Sequence, residues 1–196
     1  MKTITFVSTM TILEIIILVV SGMMVGFINT LAGGGSIISL SALMFMGLPA
    51  DIANGTNRIA ILFQNIVAVR NFHKQKFLDW KKGKWLAVPA VVGAIAGSYI
   101  AGDLSGELLE KIIAGIMVFV LITMIWKPNK WLKERKELIE KKMTFVQVMI
   151  FFAIGFYGGF IQAGVGFFLL TGLVMSAGYE LVKANAIKNL IVLFYT

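Results

Sequence analysis

The chain has 196 residues, 58% hydrophobic and 14% charged, with a mean hydropathy of +0.87 and a net charge of +8. A soluble domain of that length cannot hide so much apolar surface, which points to an integral membrane protein. There is no Cys, which excludes disulfide and thiolate chemistry, and the one His, His73, excludes a His-built metal site.

The first apolar run is Ile12 to Leu31. Lys2 precedes it but no small-x-small cleavage site follows, so it reads as a first membrane helix rather than a signal peptide. Gly33-Gly34-Gly35 break the run, and a short segment follows, Ser36 to Leu48. At about 1.5 Å per residue this segment covers roughly 20 Å, short of a bilayer core of roughly 30 Å. Pro49-Ala50-Asp51 leads to a helix from Ala53 to Phe72 that carries Asn54, Thr56, Asn57, Arg58, Gln64 and Asn65. Trp85 to Ala101 and Leu108 to Trp126 form two more spans, joined by the acidic turn 102–107. Met143 to Ile161 is a span, Phe167 to Ala177 a second short segment, and Ala184 to Thr196 a last apolar helix.

Twelve of the 18 basic residues fall in two polar stretches, 73–84 and 127–142, flanked by Trp80, Trp85, Trp126 and Trp131. Basic loops edged by Trp mark the cytoplasmic face of a membrane, so the net charge does not call for nucleic acid. The 102–107 turn then faces outward.

A segment occurs twice. Ala32, Gly33, Gly35, Met44, Gly47, Ala53, Asn54, Leu62 and Phe63 recur 131 positions later as Ala163, Gly164, Gly166, Met175, Gly178, Ala184, Asn185, Leu193 and Phe194. Paired glycine-interrupted hydrophobic segments point to a transporter binding site. The organisation is a first repeat over 1–126, a basic linker over 127–142, and an incomplete second repeat over 143–196. A complete second copy ends at about residue 257, so the chain reads as truncated at its C-terminus. If the short segments are re-entrant, each half-helix returns to the outer face and the copies are parallel. If they cross, the copies are inverted.

Gly26-Phe27-Ile28-Asn29-Thr30-Leu31-Ala32-Gly33-Gly34-Gly35, Gly47-Leu48-Pro49 before Ala53-Asn54-Gly55-Thr56-Asn57, and Lys76-Phe77-Leu78-Asp79-Trp80-Lys81 stand in a telling order. With Gly155-Phe156-Tyr157-Gly158-Gly159, Gly164-Val165-Gly166 and Ala184-Asn185-Ala186-Ile187-Lys188, they resemble the TauE/SafE family of sulfite-exporter-like permeases. The resemblance covers essentially the whole chain. It implies movement of small sulfur anions, such as sulfite, sulfoacetate or related sulfonates, across the cytoplasmic membrane. The missing C-terminal spans depart from the family pattern.

The expected site follows from the residues. Gly33, Gly34 and Gly35 open backbone inside the membrane, where it is tolerated only in protein or along a cavity. The half-helix after them would aim N–H groups and a positive dipole end at an anion, and Gly164 and Gly166 repeat the device. Close helix packing through small residues is the alternative. Arg58 offers a planar fork to sulfonate oxygens, or else snorkels to the interface. Lys188 places a second cation at the position matching Asn57. Asn29 and Gln162 precede the two breaks, where they bind ligand or satisfy freed carbonyls. Asn54, Thr56, Asn57 and Asn185 complete the substrate-binding set, while Gln64 and Asn65 link helices.

The expectation is an all-α, polytopic transmembrane protein with two glycine-broken repeats. It works as a secondary transporter for a small anion by alternating access in the cell membrane. It is not an enzyme: no nucleophile–base pair and no phosphate-binding loop is present, and no cofactor or metal is required. Its partners are the lipid bilayer and the anion, and a homo-oligomer is compatible with this reading. The alternative is a non-transporting membrane scaffold or an inactive fragment of such a permease.

Overall fold

A computed structural model describes residues 11–125, 136–140 and 143–196. Expectations for Trp126, Trp131 and most of the 127–142 linker lie outside the described residues. Every regular element among the described residues is a helix. In chain order these are α1 Ile12–Ala32, α2 Gly35–Phe45, α3 Ala50–Lys74, α4 Trp80–Gly102 and α5 Gly106–Ile125, then α6 Lys136–Glu140, α7 Phe145–Phe160, α8 Val165–Met175 and α9 Leu181–Tyr195.

Local chemistry sets the boundaries. α3 starts at Ala50 rather than Ala53, because Pro49 (φ −54°, ψ 147°) pre-sets the entry and Asp51 sits in the first turn, where a carboxylate suits the helix dipole. α4 starts at Trp80 rather than Trp85, because Asp79 Oδ1 accepts the Lys82 N–H at 3.0 Å as an N-cap. The polar loop expected over 73–84 therefore shrinks to 75–79, with Lys81, Lys82 and Lys84 on the first turns of α4. Trp80 Nε1 donates to His73 Nδ1 at 2.8 Å and pins this corner.

Each glycine break makes a helical hairpin. α2 returns onto α1, where a methyl on Gly35 would overlap the Val25 carbonyl and lie 2.8 Å from Asn29 N. α8 returns along α7. Gly172 lies against Ile150 and Ile154, and Gln147 Nε2, at the start of α7, donates to Ser176 O beyond the end of α8 at 2.7 Å.

α7 also packs on α4, and the two run in the same direction: Gly155 meets Ala90 and Gly159 meets Ala94. Gly93 and Gly97 on α4 lie against the Phe152 and Phe156 carbonyls. A methyl at any of these four glycines would overlap backbone. In a bilayer, where helix association gains nothing from burying apolar surface away from lipid, such small-residue seams let dispersion act at short range.

Two buried apolar clusters flank the centre. One joins α4, α7, α8 and α9 through Leu86, Phe151, Leu169 and Leu190. The other joins α2, α3 and α5 through Leu40, Ala53 and Ile113, with Ile161 and Ala163 from the second break. Large apolar side chains point outward as well: Phe27, Phe63 and Ile95 are about two-thirds exposed. Among the described residues one helix, Trp80–Gly102, is long and apolar enough to cross a membrane; Gly35–Phe45, Phe145–Phe160 and Val165–Met175 are apolar and shorter.

Candidate functional site

The two breaks touch. Gly33 (φ 76°) and Gly164 (φ 70°) both adopt the left-handed conformation that glycine alone takes at little cost. A methyl on Gly166 would sit 2.5 Å from Gly33 Cα, and one on Gly33 would overlap the Gly166 backbone. Ser36 Oγ accepts the Gly164 N–H across the contact at 2.9 Å. Gly34 holds the N-cap position of α2, and Gly35 is already its first residue, so the first break occupies 33–34. The turns after the short helices also match: Gly47 has φ 88° and Gly178 φ 81°.

Both cations lie at helix ends. Lys188 Nζ donates to Asn29 O at 2.8 Å and Thr30 O at 3.3 Å, and Asn185 Nδ2 donates to Thr30 O at 2.5 Å. These carbonyls close α1, where the last four acceptors have no partner within the helix and the dipole is negative. Arg58 Nη2 donates to Gly158 O at 3.3 Å and to Gly159 O, and Asn54 Nδ2 donates to Phe160 O at 3.4 Å. These carbonyls close α7. Each hairpin thus has its first helix capped by the helix that follows the other hairpin. Neither cation has an acidic partner among the described residues; the ion pairs there are Lys111–Glu107 at 2.7 Å and Lys183–Glu180 at 3.7 Å.

The remaining amides surround this crossing. Asn57 Oδ1 accepts from Ser39 Oγ at 2.6 Å. Asn29 Nδ2 donates to Gln64 Oε1 at 3.1 Å, and Gln64 Nε2 donates to Thr30 Oγ1 at 2.9 Å, so Gln64 links α3 to α1. Gln162 Nε2 donates to Thr196 Oγ1 at 2.8 Å. Asn29 and Gln162 therefore engage side chains rather than the freed carbonyls. Asn65 bonds Ile61 O in its own helix at 2.7 Å. A small cavity of about 10 Å³ remains, lined by Asn29, Ser36, Asn65, Gln162, Gly166 and Lys188. That is room for about one water.

Around it, Asn54 Oδ1, Asn57 Nδ2, Gln162 Oε1, Asn185 Oδ1 and the Tyr195 hydroxyl are buried without a hydrogen-bond partner. Each such group costs about 1–3 kcal/mol, so a cluster of them needs a reason.

Thr56 departs from expectation. It is exposed and does not join the centre, because one residue along a helix turns a side chain by about 100° from its neighbours Asn57 and Gly55. The sequence reading missed Ser36, Ser39, Tyr157 and Tyr195. Tyr157 donates its hydroxyl to Ala163 O inside the second break. Ser36 was signalled by its place directly after the glycine triplet. A larger cavity, about 680 Å³, opens between the start of α4, α6 and α7, with Lys81, Trp85, Leu86 and Met143 in its wall. It collects none of the recurring residues and is mostly apolar, so it is not the candidate site.

The family model described as "Sulfite exporter TauE/SafE" matches residues 18–196. The chain is similar to the probable membrane transporter protein ORF9 of a Sinorhizobium species, at 28% identity over 86% of this chain and 64% of the relative. It is also similar to a probable membrane transporter protein of Haemophilus influenzae, at 24% identity over 84% and 64%, and to YfcA of Escherichia coli, a probable membrane transporter protein, at 25% over 86% and 62%. The chain spans less than two thirds of the length of these relatives. No solved structure matches it.

Proposed function

The chain belongs to the TauE/SafE family, and from that membership we propose that it is a secondary transporter for a small anion, with sulfite, sulfonates and other sulfur anions as the substrate class. The observation that carries the reading is the centre itself. Two cations, Arg58 and Lys188, lack acidic partners among the described residues and meet five unpartnered polar atoms where two helix breaks touch. Ionisable groups at membrane depth are costly and mark substrate paths. An anion placed here would offset the cations and accept from the two idle donors, Asn57 Nδ2 and the Tyr195 hydroxyl; the three idle amide oxygens, of Asn54, Gln162 and Asn185, are acceptors and do not hold it. The binding set is Asn29, Gly33, Gly34, Gly35, Asn54, Asn57, Arg58, Gln162, Gly164, Gly166, Asn185 and Lys188. The reading calls for no catalytic residue, cofactor, metal or nucleic acid.

The mechanism is alternating access between two inverted, glycine-broken copies. The helix directions support inversion. α2 returns to the side from which α1 starts, and α3 leaves from that side, so α1 and α3 point the same way. α4 follows α3 through the short 75–79 turn and runs back, and α7 runs with α4. The α1–α2 and α7–α8 hairpins therefore enter the centre from opposite sides. These directions do not fit the expectation that re-entrant segments make the copies parallel: each short helix returns along the helix before it, and the two hairpins run in opposite directions. At about 10 Å³ the cavity is too small for an anion of this class, so the hairpins must part to load it. With the basic stretches 73–84 and 127–142 on the cytoplasmic face, the protein is multi-pass in the cell membrane.

The test is thermal stability of the purified protein against sulfite, thiosulfate, sulfoacetate, taurine, sulfate and chloride. One sulfur anion stabilises the wild type, by about 2.7 kcal/mol at a hundredfold excess over Kd, and stabilises neither Arg58→Ala nor Lys188→Ala. A wild type that responds to none of them, or variants that respond as the wild type does, reject the reading.

A further inference from the structure

Arg58 and Lys188 lie on opposite sides of the Gly33–Gly166 contact. Arg58 sits in the first half of α3, near the end where Ala50 and Ala53 pack with Leu104 and Leu109 around the 103–105 turn. Lys188 is the middle residue of α9. Its neighbours Ile187 and Leu190 face Gly83, in the first turn of α4, beside the 75–79 turn. Each cation holds the end of one hairpin helix against a helix of the other half, and each hold is doubled by an asparagine, Asn54 or Asn185. The hairpins also meet at the glycine contact, at the Ser36–Gly164 hydrogen bond and in the apolar cluster that joins Ile37 and Leu40 to Ile161 and Ala163.

We propose that these two caps are a pair of gates, one for each face, and that a bound anion opens them one at a time. The proposal rests on the anion reading of the centre. A carbonyl is a neutral acceptor, and an anion is a stronger one for a guanidinium or ammonium. An anion arriving at the centre competes with the carbonyls for one cation. The helix end it frees loses its hold on the opposite half, while the second cap keeps the other face shut. The closed state with both caps made is the state between the two openings. The gate at Arg58 opens the face of the 103–105 turn, and the gate at Lys188 opens the face of the 75–79 turn.

The chain has no Cys, so one reporter thiol reads this directly. Ser36→Cys places it in the wall of the central cavity, at a residue 1% exposed. A membrane-impermeant maleimide is applied from each face, using vesicles of both orientations. Ser36→Cys alone labels slowly from both faces. Adding Arg58→Gln raises the rate about tenfold from the 103–105 face only, and adding Lys188→Gln does so from the 75–79 face only. Asn54→Ala and Asn185→Ala, milder lesions of the same caps, show the same sidedness and stand in if a cation variant fails to give a monodisperse protein. Labelling that rises equally from both faces, from the opposite face, or from neither overturns the gates. Anion-induced stabilisation is measured on the same samples. Sidedness without an anion response keeps the gates and rejects the anion reading; an anion response without sidedness rejects the gates alone.

Discussion

Helix α7 takes part in two contacts of opposite character. Along its length, Gly155 and Gly159 press against Ala90 and Ala94 of α4 with no space for a methyl and no polar side chain between. At its end, its last carbonyls meet Arg58 and Asn54 beside buried amide atoms that have no partner. The first contact is complete, and nothing can be added to it. The second is incomplete by several hydrogen bonds. A seam that is already satisfied serves stability, and a centre that is not satisfied holds capacity for a ligand. One helix is thus anchored along its side and free to exchange partners at its tip.

Substitutions separate these two roles, and the largest effect falls on the seam. Gly155→Leu forces α4 and α7 apart and costs about 3 kcal/mol or more, read as a collapse of the thermal transition or loss of folded protein. At the glycine contact, Gly33→Ala combines overlap with Gly166 and a left-handed backbone that alone costs about 1–2 kcal/mol, so both stability and anion response fall. Lys188→Met behaves differently. It removes two cap bonds but also the cost of a buried, unpaired ammonium, so unfolding shifts by less than about 1 kcal/mol while the anion response disappears. A loss of stability as large as that of Gly155→Leu would make Lys188 a structural cap and erase the contrast. Asn54→Ala deletes one long hydrogen bond and, with Nδ2, a donor that an anion could take over; anion affinity drops about tenfold, roughly 1.4 kcal/mol, with little change in melting. Thr56→Ala, exposed and outside the centre, stays within about 0.5 kcal/mol and leaves binding as it was.

What was legible in the sequence is what a residue settles locally. Gly33 and Gly164 break helices because the chain turns left-handed there, and Gly47 and Gly178 recur for the same reason, so a period of 131 was visible in letters alone. Asn54 and Asn185 were legible through that period, and both reach helix-end carbonyls. The partners of the cations were not legible, because a bond between residues 158 positions apart depends on how the halves cross. Thr56 was grouped with its neighbours by adjacency, although a helix turns adjacent side chains apart. The α4–α7 seam had a signal in the letters, glycines four apart at 93 and 97 and again at 155 and 159, a spacing that packs helices rather than breaking them. The early start of α4 was written in Asp79, a capping residue inside a stretch read as loop.

The crossed caps also bear on how the protein is made. Asn29 O waits for Lys188 Nζ, 159 residues further along the chain, and the Gly159 carbonyl meets an Arg58 that was synthesised 101 residues earlier. During synthesis the second break therefore finds its cap already in place. Until α9 is made, the first break must stand with Thr30 O uncapped and with Asn29 O held by the Gly33 N–H alone, at 3.0 Å. The N-terminal hairpin, made first, is therefore the one that completes its hydrogen bonding last.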